Sequence, residues 1–145
     1  EWAGWPFNGE FTRNHMANNT IELRITFKIS PERLYNAWLD SAEHSEMTGT
    51  NAQASAVAGA EFKAWDGYIS GKILELVDGR KIVQSWRTTD FLEEDPDSRL
   101  EIRFDPAPGG CVLTLIHSDI PEGQPDYAEG WREYYFEPMK AYFEQ

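Results

Sequence analysis

Thiols, imidazoles and cations are scarce in this chain. A single cysteine, Cys111, cannot close an intrachain disulfide, and three histidines with one cysteine cannot assemble the usual Cys/His metal frameworks. Lys and Arg number 13 against 25 Asp and Glu, a net charge of −12. That balance repels phosphate backbones and anionic lipid, which argues against a nucleic-acid partner. Apolar runs extend a few residues, far short of the roughly 20 that span a bilayer, and no charged stretch leads into an apolar signal segment. The expectation is a cytoplasmic domain with no metal or other cofactor, no nucleic-acid partner and no membrane insertion.

What the chain has in excess is aromatic rings, 14% of its residues within a hydrophobic content of 41%. A chain of 145 residues is long enough for one domain, which at that size buries roughly 70% of its unfolded surface. Residues 1–16 read differently from the rest: Trp2, Trp5, Phe7 and Phe11 sit among Gly, Pro and Asn with neither helical nor strand period. The pair His15-Met16 is what a cloning junction leaves, so this stretch is either a tail of that origin or a native N-terminal arm. Its four aromatics could dock in a neighbour's groove or in the protein's own pocket. Residues 17–145 form the single domain.

From Thr20 to Ile29 the alternation is complete, with Ile21, Leu23, Ile25, Phe27 and Ile29 on one face, which predicts a half-buried strand. Ser30 then caps a helix opened by Pro31, whose missing N–H costs nothing at that position. A second short helix starts at Ser41 and ends at Thr48-Gly49; its His44, among Asp40, Glu43 and Glu46, reads as a solvated surface residue. Five further strands are predicted over Ala60–Trp65, Tyr68–Val77, Lys81–Arg87, Ser98–Asp105 and Cys111–Ser118. Asp66-Gly67 and Asp78-Gly79 are expected to turn as type I′ hairpins, because glycine tolerates positive φ. Helical period returns over Pro125–Phe143, where Pro138 should bend the helix. A curved antiparallel sheet of about six strands, covered by one long terminal helix, is an α+β arrangement.

Period-two phase gives an inward set on the sheet: Phe62, then Ile69, Gly71 and Ile73, then Ile82, Gln84 and Trp86, then Leu100, Ile102 and Phe104, then Leu113, Leu115 and His117. With Trp38, Trp131, Tyr135 and Met139 these surround the space under the helix. The expected ligand-lining residues are Trp38, Phe62, Ile73, Gln84, Trp86, Phe104, Leu115, His117, Trp131, Tyr135 and Met139. An aromatic lining with a few polar atoms suits a small-molecule pocket. The same rings could equally fill the interior and bond to one another. His117 is the lining residue able to titrate near neutrality, with a satisfied core histidine as the alternative. Cys111 has no basic neighbour to activate it, and the chain has neither a nucleophile elbow nor a phosphate loop. No catalytic residue is assigned.

Three segments carry a family signature: Trp65-Asp66-Gly67-Tyr68-Ile69-Ser70-Gly71, then Lys81-Ile82-Val83-Gln84-Ser85-Trp86-Arg87, then Gly130-Trp131-Arg132-Glu133-Tyr134-Tyr135-Phe136. Together they closely resemble the C-terminal domain of the activators of Hsp90 ATPase, within the START and Bet v 1-like (SRPBCC) superfamily of helix-grip folds. The resemblance spans about Thr20 to Phe143. It implies a helix-grip fold and a stress-response setting with an Hsp90-type chaperone as partner. The superfamily also contains lipid and polyketide carriers, cyclases and hydrolases. Three functions follow as expectations. The first is non-catalytic binding of a small apolar, aromatic or lipid-like ligand between sheet and helix. The second is a co-chaperone-like module that touches an Hsp90-type ATPase through its surface. The third is a cyclase- or hydratase-type enzyme using His117 or a pocket tyrosine.

Overall fold

The computed structural model describes residues 20–144. The tail-or-arm reading of residues 1–16 lies outside the described residues. Six strands form one antiparallel sheet: β1 (Ile21–Phe27), β2 (Glu61–Ala64), β3 (Ile69–Val77), β4 (Lys81–Thr88), β5 (Ser98–Ala107) and β6 (Gly110–Ser118). Their order across the sheet is β1-β6-β5-β4-β3-β2, so β2 to β6 are a meander and β1 returns to pair with β6. Two helices, α1 (Pro31–Trp38) and α2 (Ser41–Thr48), fill the connection from β1 to β2. The terminal helix is α3 (Tyr127–Trp131), a π-helical turn over Arg132–Phe136, and α4 (Glu137–Phe143). This is the helix-grip arrangement expected from the order of elements.

Local chemistry explains the boundaries. The Ser30 hydroxyl accepts the Arg33 amide at 3.1 Å at the start of α1. Asp40 does the same for Glu43 at 2.9 Å in α2, and Gly49 closes α2 at φ 82°. Asp126 caps α3 through the amides of Ala128 and Glu129. Pro138 has no N–H to give to the turn before it, and that turn widens into the π-helical stretch. Of the residues phased inward, Phe62, Ile69, Ile73, Gln84, Trp86, Leu100, Phe104, Leu115 and His117 are all buried.

Gly71, paired with Phe62, marks a close approach of strands. A Cβ there would lie 1.9 Å from the Ser85 carbonyl oxygen, so β3 approaches β4 at a distance only glycine allows. Just beyond, the register of β3 against β4 shifts between Ile73 and Glu75, a bulge that sharpens the curl of the sheet.

Neither expected type I′ hairpin is present. Between Val77 and Lys81 the connection has three residues, and of these only Gly79 is left-handed, at φ 72°. Such a loop needs one positive φ where a two-residue I′ turn needs two. At Asp66-Gly67 the chain makes a 3-10 turn in which Trp65 (φ 53°), Asp66 (φ 57°) and Gly67 (φ 93°) are all left-handed.

Candidate functional site

The expected lining residues meet under the terminal helix, and none is more than 1% exposed. Trp86 lies at their centre. Its ring centroid is 4.3 Å from that of His117, 4.9 Å from Tyr127 and 5.7 Å from Trp131. Trp131 stands 4.8 Å from Tyr135, Tyr135 stands 5.1 Å from Trp38, and Trp38 is stacked parallel to Phe62 at 6.3 Å. Phe104 meets Tyr35 edge-on at 5.7 Å. These are the spacings of packed aromatic pairs. Ile73, Leu115 and Met139 complete the same core cluster.

The polar atoms in this interior bond mainly to one another. Trp131 donates its indole N–H to His117 Nδ1 at 3.1 Å. An indole can only donate, so His117 carries its proton on Nε2 and gives it to the Ser98 hydroxyl at 2.9 Å. Ser98 in turn donates to the Trp86 carbonyl at 2.7 Å. A second relay runs from the Tyr135 hydroxyl to His44 Nε2 and from His44 Nδ1–H to the Trp38 carbonyl, each at 2.8 Å. Trp38 donates to Gln84 Oε1 at 3.3 Å. Gln84 Nε2 is buried and has no acceptor among the described residues.

Burial sets the protonation of both histidines. Desolvation holds His117 down to about 3. It holds His44 down to about 4, against a smaller upward pull from the Trp38 carbonyl. At neutral pH His117 is therefore an uncharged link in a hydrogen-bond chain. Protonating Nδ1 would set an N–H against the Trp131 N–H, so the geometry does not favour an imidazolium acid there.

His44 corrects the reading of it as a solvated surface residue. It is completely buried, because α2 turns His44, Met47 and Thr48 inward and leaves Glu43 and Glu46 near the surface. The i, i+3 spacing of His44 and Met47 was the available signal, and the flanking carboxylates masked it. Those carboxylates have partners of their own. Glu43 is held below the usual carboxylate range, first by the Arg33 guanidinium that grips it with two hydrogen bonds and further by the Tyr142 hydroxyl at 2.9 Å. Arg33, Glu43 and Tyr142 thereby tie α1, α2 and α4 together.

A different place is open. A groove of about 510 Å3 lies at one end of the sheet, walled by Thr50, Trp65, Asp66, Gly67, Tyr68 and Thr89. It contains none of the expected lining residues. The left-handed turn forms one wall, fixed by the Asp66 amide donating to the Asn51 carbonyl at 3.0 Å. Tyr134 packs edge-on against Trp65 at 5.4 Å, and Tyr68 donates its hydroxyl to Asp90 at 2.7 Å. Residues held in unfavourable backbone conformations beside a concave surface are a known mark of functional positions. The sequence reading treated this stretch as a plain hairpin. Cys111 is buried, and desolvation pushes its thiol up to about 11, in keeping with the unreactive cysteine expected. Among the described residues no group of three His, Cys, Asp or Glu is placed to hold a metal ion, and no helix is long and apolar enough to cross a membrane.

The comparisons with known proteins agree with this architecture. The chain is 31% identical over 128 residues to the Activator of 90 kDa heat shock protein ATPase homolog 2 of Mus musculus, covering 86% of this chain and 38% of that one. It is 31% identical over 124 residues to the Activator of 90 kDa heat shock protein ATPase homolog 1 of Homo sapiens, covering 85% and 36% respectively. The chain thus spans little more than a third of the length of these relatives. Among solved structures, an HSP90 activator from Plasmodium falciparum superposes with a TM-score of 0.77 at 24% identity, over 86% of this chain and 96% of that one, a likeness of fold. Residues 28–144 match the profile described as Activator of Hsp90 ATPase homolog 1-like protein. With that match covering most of the strands and all of the helices just described, the chain belongs to the Activator of Hsp90 ATPase homolog 1-like family.

Proposed function

We propose that this chain is a non-catalytic docking module for an Hsp90-type ATPase, acting in the cytoplasm through its exterior. One observation carries the reading: the space under the terminal helix, where a small ligand would sit, is taken up by the chain's own rings at packed-pair distances. The work of recognition then falls to the surface. Both curated relatives reported above bear the name of activators of the 90 kDa heat-shock-protein ATPase. The charge suits such a role. From residue 119 onward Asp119, Glu122, Glu129, Glu133, Glu137 and Glu144 outnumber Arg132 and Lys140 on the surface, and an excess of one sign steers encounters with basic patches.

The test is ATP turnover by the cognate chaperone, titrated with the full chain at low and high salt. A saturable change in turnover, weaker at high salt, is expected. Unchanged turnover at saturating protein overturns the proposal.

A second reading rests on Gln84. Its buried Nε2 lacks an acceptor among the described residues, and leaving such a donor unpaired costs about 1–3 kcal/mol. A small apolar ligand bearing one carbonyl or hydroxyl oxygen would satisfy it if the rings parted. Native mass spectrometry of the protein from its own host tests this: a retained adduct supports the ligand reading, and the bare chain mass counts against it.

A further inference from the structure

The outer face of the sheet carries charge of the opposite sign to the rest of the chain. Register sets Lys63 opposite Ser70 and Ser70 opposite Arg87 in one row across β2, β3 and β4. Lys81 lies opposite Arg103, and Arg103 and Arg24 both lie opposite Thr114, in another row. Lys72, opposite Glu61, and Arg99, opposite Ser85, stand between them. Residues opposite one another share a face, so these seven cations sit together on the side away from Gln84, Trp86 and the terminal helix. The carboxylates on that face are Glu22, Glu61, Glu75, Glu101 and Asp105. Seven of the 13 cations thus meet only five of the 25 carboxylates, which leaves this face positive and the remainder of the chain strongly negative.

Most of these cations already have partners. Arg24 pairs with Glu22, Lys81 with Glu75, and Arg99 and Arg103 share Glu101. Arg87 holds Asp97 at 2.7 Å together with the carbonyls of Asp95 and Leu92. Lys63 and Lys72 are exposed and make no ion pair among the described residues, although Glu61 faces Lys72 across the strands. Both lysines and Ser70 line a groove of about 450 Å3. Diagonal neighbours on adjacent strands stand about 7–8 Å apart, and alternate side chains of an extended chain recur about every 6.5–7 Å on one face. We infer that this groove binds an extended acidic segment of a partner protein, with carboxylates two residues apart on Lys63 and Lys72 and the Ser70 hydroxyl donating between them. A nucleic acid or a second copy brings far more negative charge and is repelled by the rest of the surface, whereas a short segment meets only the positive face. The site is read from its own charges and does not depend on a chaperone being the partner.

Fluorescence anisotropy with the full chain tests the site. The probe is a labelled peptide in which glutamate alternates with serine, compared with its glutamine counterpart. Saturable binding of the glutamate peptide is expected, weaker at high salt, and the glutamine peptide should not bind. Lys63→Gln combined with Lys72→Gln should weaken binding about three- to tenfold. Lys28→Gln, at an exposed lysine outside the groove, should leave it unchanged. Thermal midpoints equal to that of the parent chain verify that the variants fold. Absence of saturable binding, equal binding of the glutamine peptide, or an equal loss from Lys28→Gln overturns the inference. So does displacement of the peptide by inorganic phosphate at matched ionic strength, because a single small anion then fills the groove. Tighter binding of a DNA duplex, or dimerisation of the chain that the paired lysine substitutions abolish, overturns it too, because the occupant is then a nucleic acid or a second copy.

Discussion

The protein has two aromatic regions built on opposite terms. Under the terminal helix, Trp38, Trp86 and Trp131 are at most 1% exposed, and the indoles of Trp131 and Trp38 donate to buried partners, His117 and Gln84. At the end of the sheet, Trp65 and Tyr68 wall an open groove on a turn whose Trp65 and Asp66 are left-handed without being glycine. Abundant rings with a few polar atoms describe both regions equally well. What separates them is the backbone and the space beside it: the first set is sealed by its own rings, the second stands on a left-handed turn at the edge of a concave surface.

The difference can be broken most forcefully by truncation. Trp131→Ala removes a fully buried ring and deprives His117 of its donor, and should lower unfolding free energy by about 3–5 kcal/mol. Trp65→Ala, on the groove wall, should cost about 1 kcal/mol or less. Urea titrations read both as shifts in midpoint at constant slope. Equal losses would make the groove ring a core residue and erase the distinction. Gly71→Ala follows in size: the 1.9 Å contact with the Ser85 carbonyl forces β3 and β4 apart, at a cost of about 3 kcal/mol. The same titration checks it.

Acidity probes the sealed region more finely. His44 and His117 have pKa values of about 4 and about 3 in the folded chain, lowered from an ordinary 6.5. Unfolding therefore takes up protons below pH 6.5. Their contribution to stability is complete above that pH and is lost as pH falls toward 4 and then 3. Between pH 6 and 5, above the midpoints of ordinary carboxylates, each histidine should add a slope approaching about 1.4 kcal/mol per pH unit. Unfolding free energy measured across this window should show that slope, and His117→Phe should remove about half of it. The smallest effect belongs to the surface. Glu43→Gln weakens the grip of Arg33 on a pair left partly exposed to solvent, which should cost under about 1 kcal/mol and less in high salt.

Strand positions and inward faces were legible because a period of two leaves little choice once one face is buried. Trp86, His117 and Gln84 fell into place for that reason. Whether they enclose a cavity was not legible, since it depends on whether ring centroids settle at 5 Å or 8 Å, and composition carries no such distance. His44 was hidden by its neighbours Glu43 and Glu46, whose charges are taken up by Arg33 of the preceding helix and by the Tyr142 hydroxyl of the terminal one, contacts that no local pattern shows. The turn at Trp65 was read from its Asp-Gly pair alone. Its shape comes instead from a hydrogen bond to Asn51 and from Tyr134 packed on the indole.

The central claim is that activity resides on the exterior of a filled interior. Chaperone ATP turnover measured with two samples of the same full chain tests it most directly. One sample is native; the other is unfolded in denaturant, washed free of any small molecule and refolded, a cycle that a chain of this size commonly survives. Equal effects on turnover are predicted. If the stripped sample is folded but inert, and an organic extract of the native sample restores its effect, the interior holds a functional ligand and the claim is contradicted.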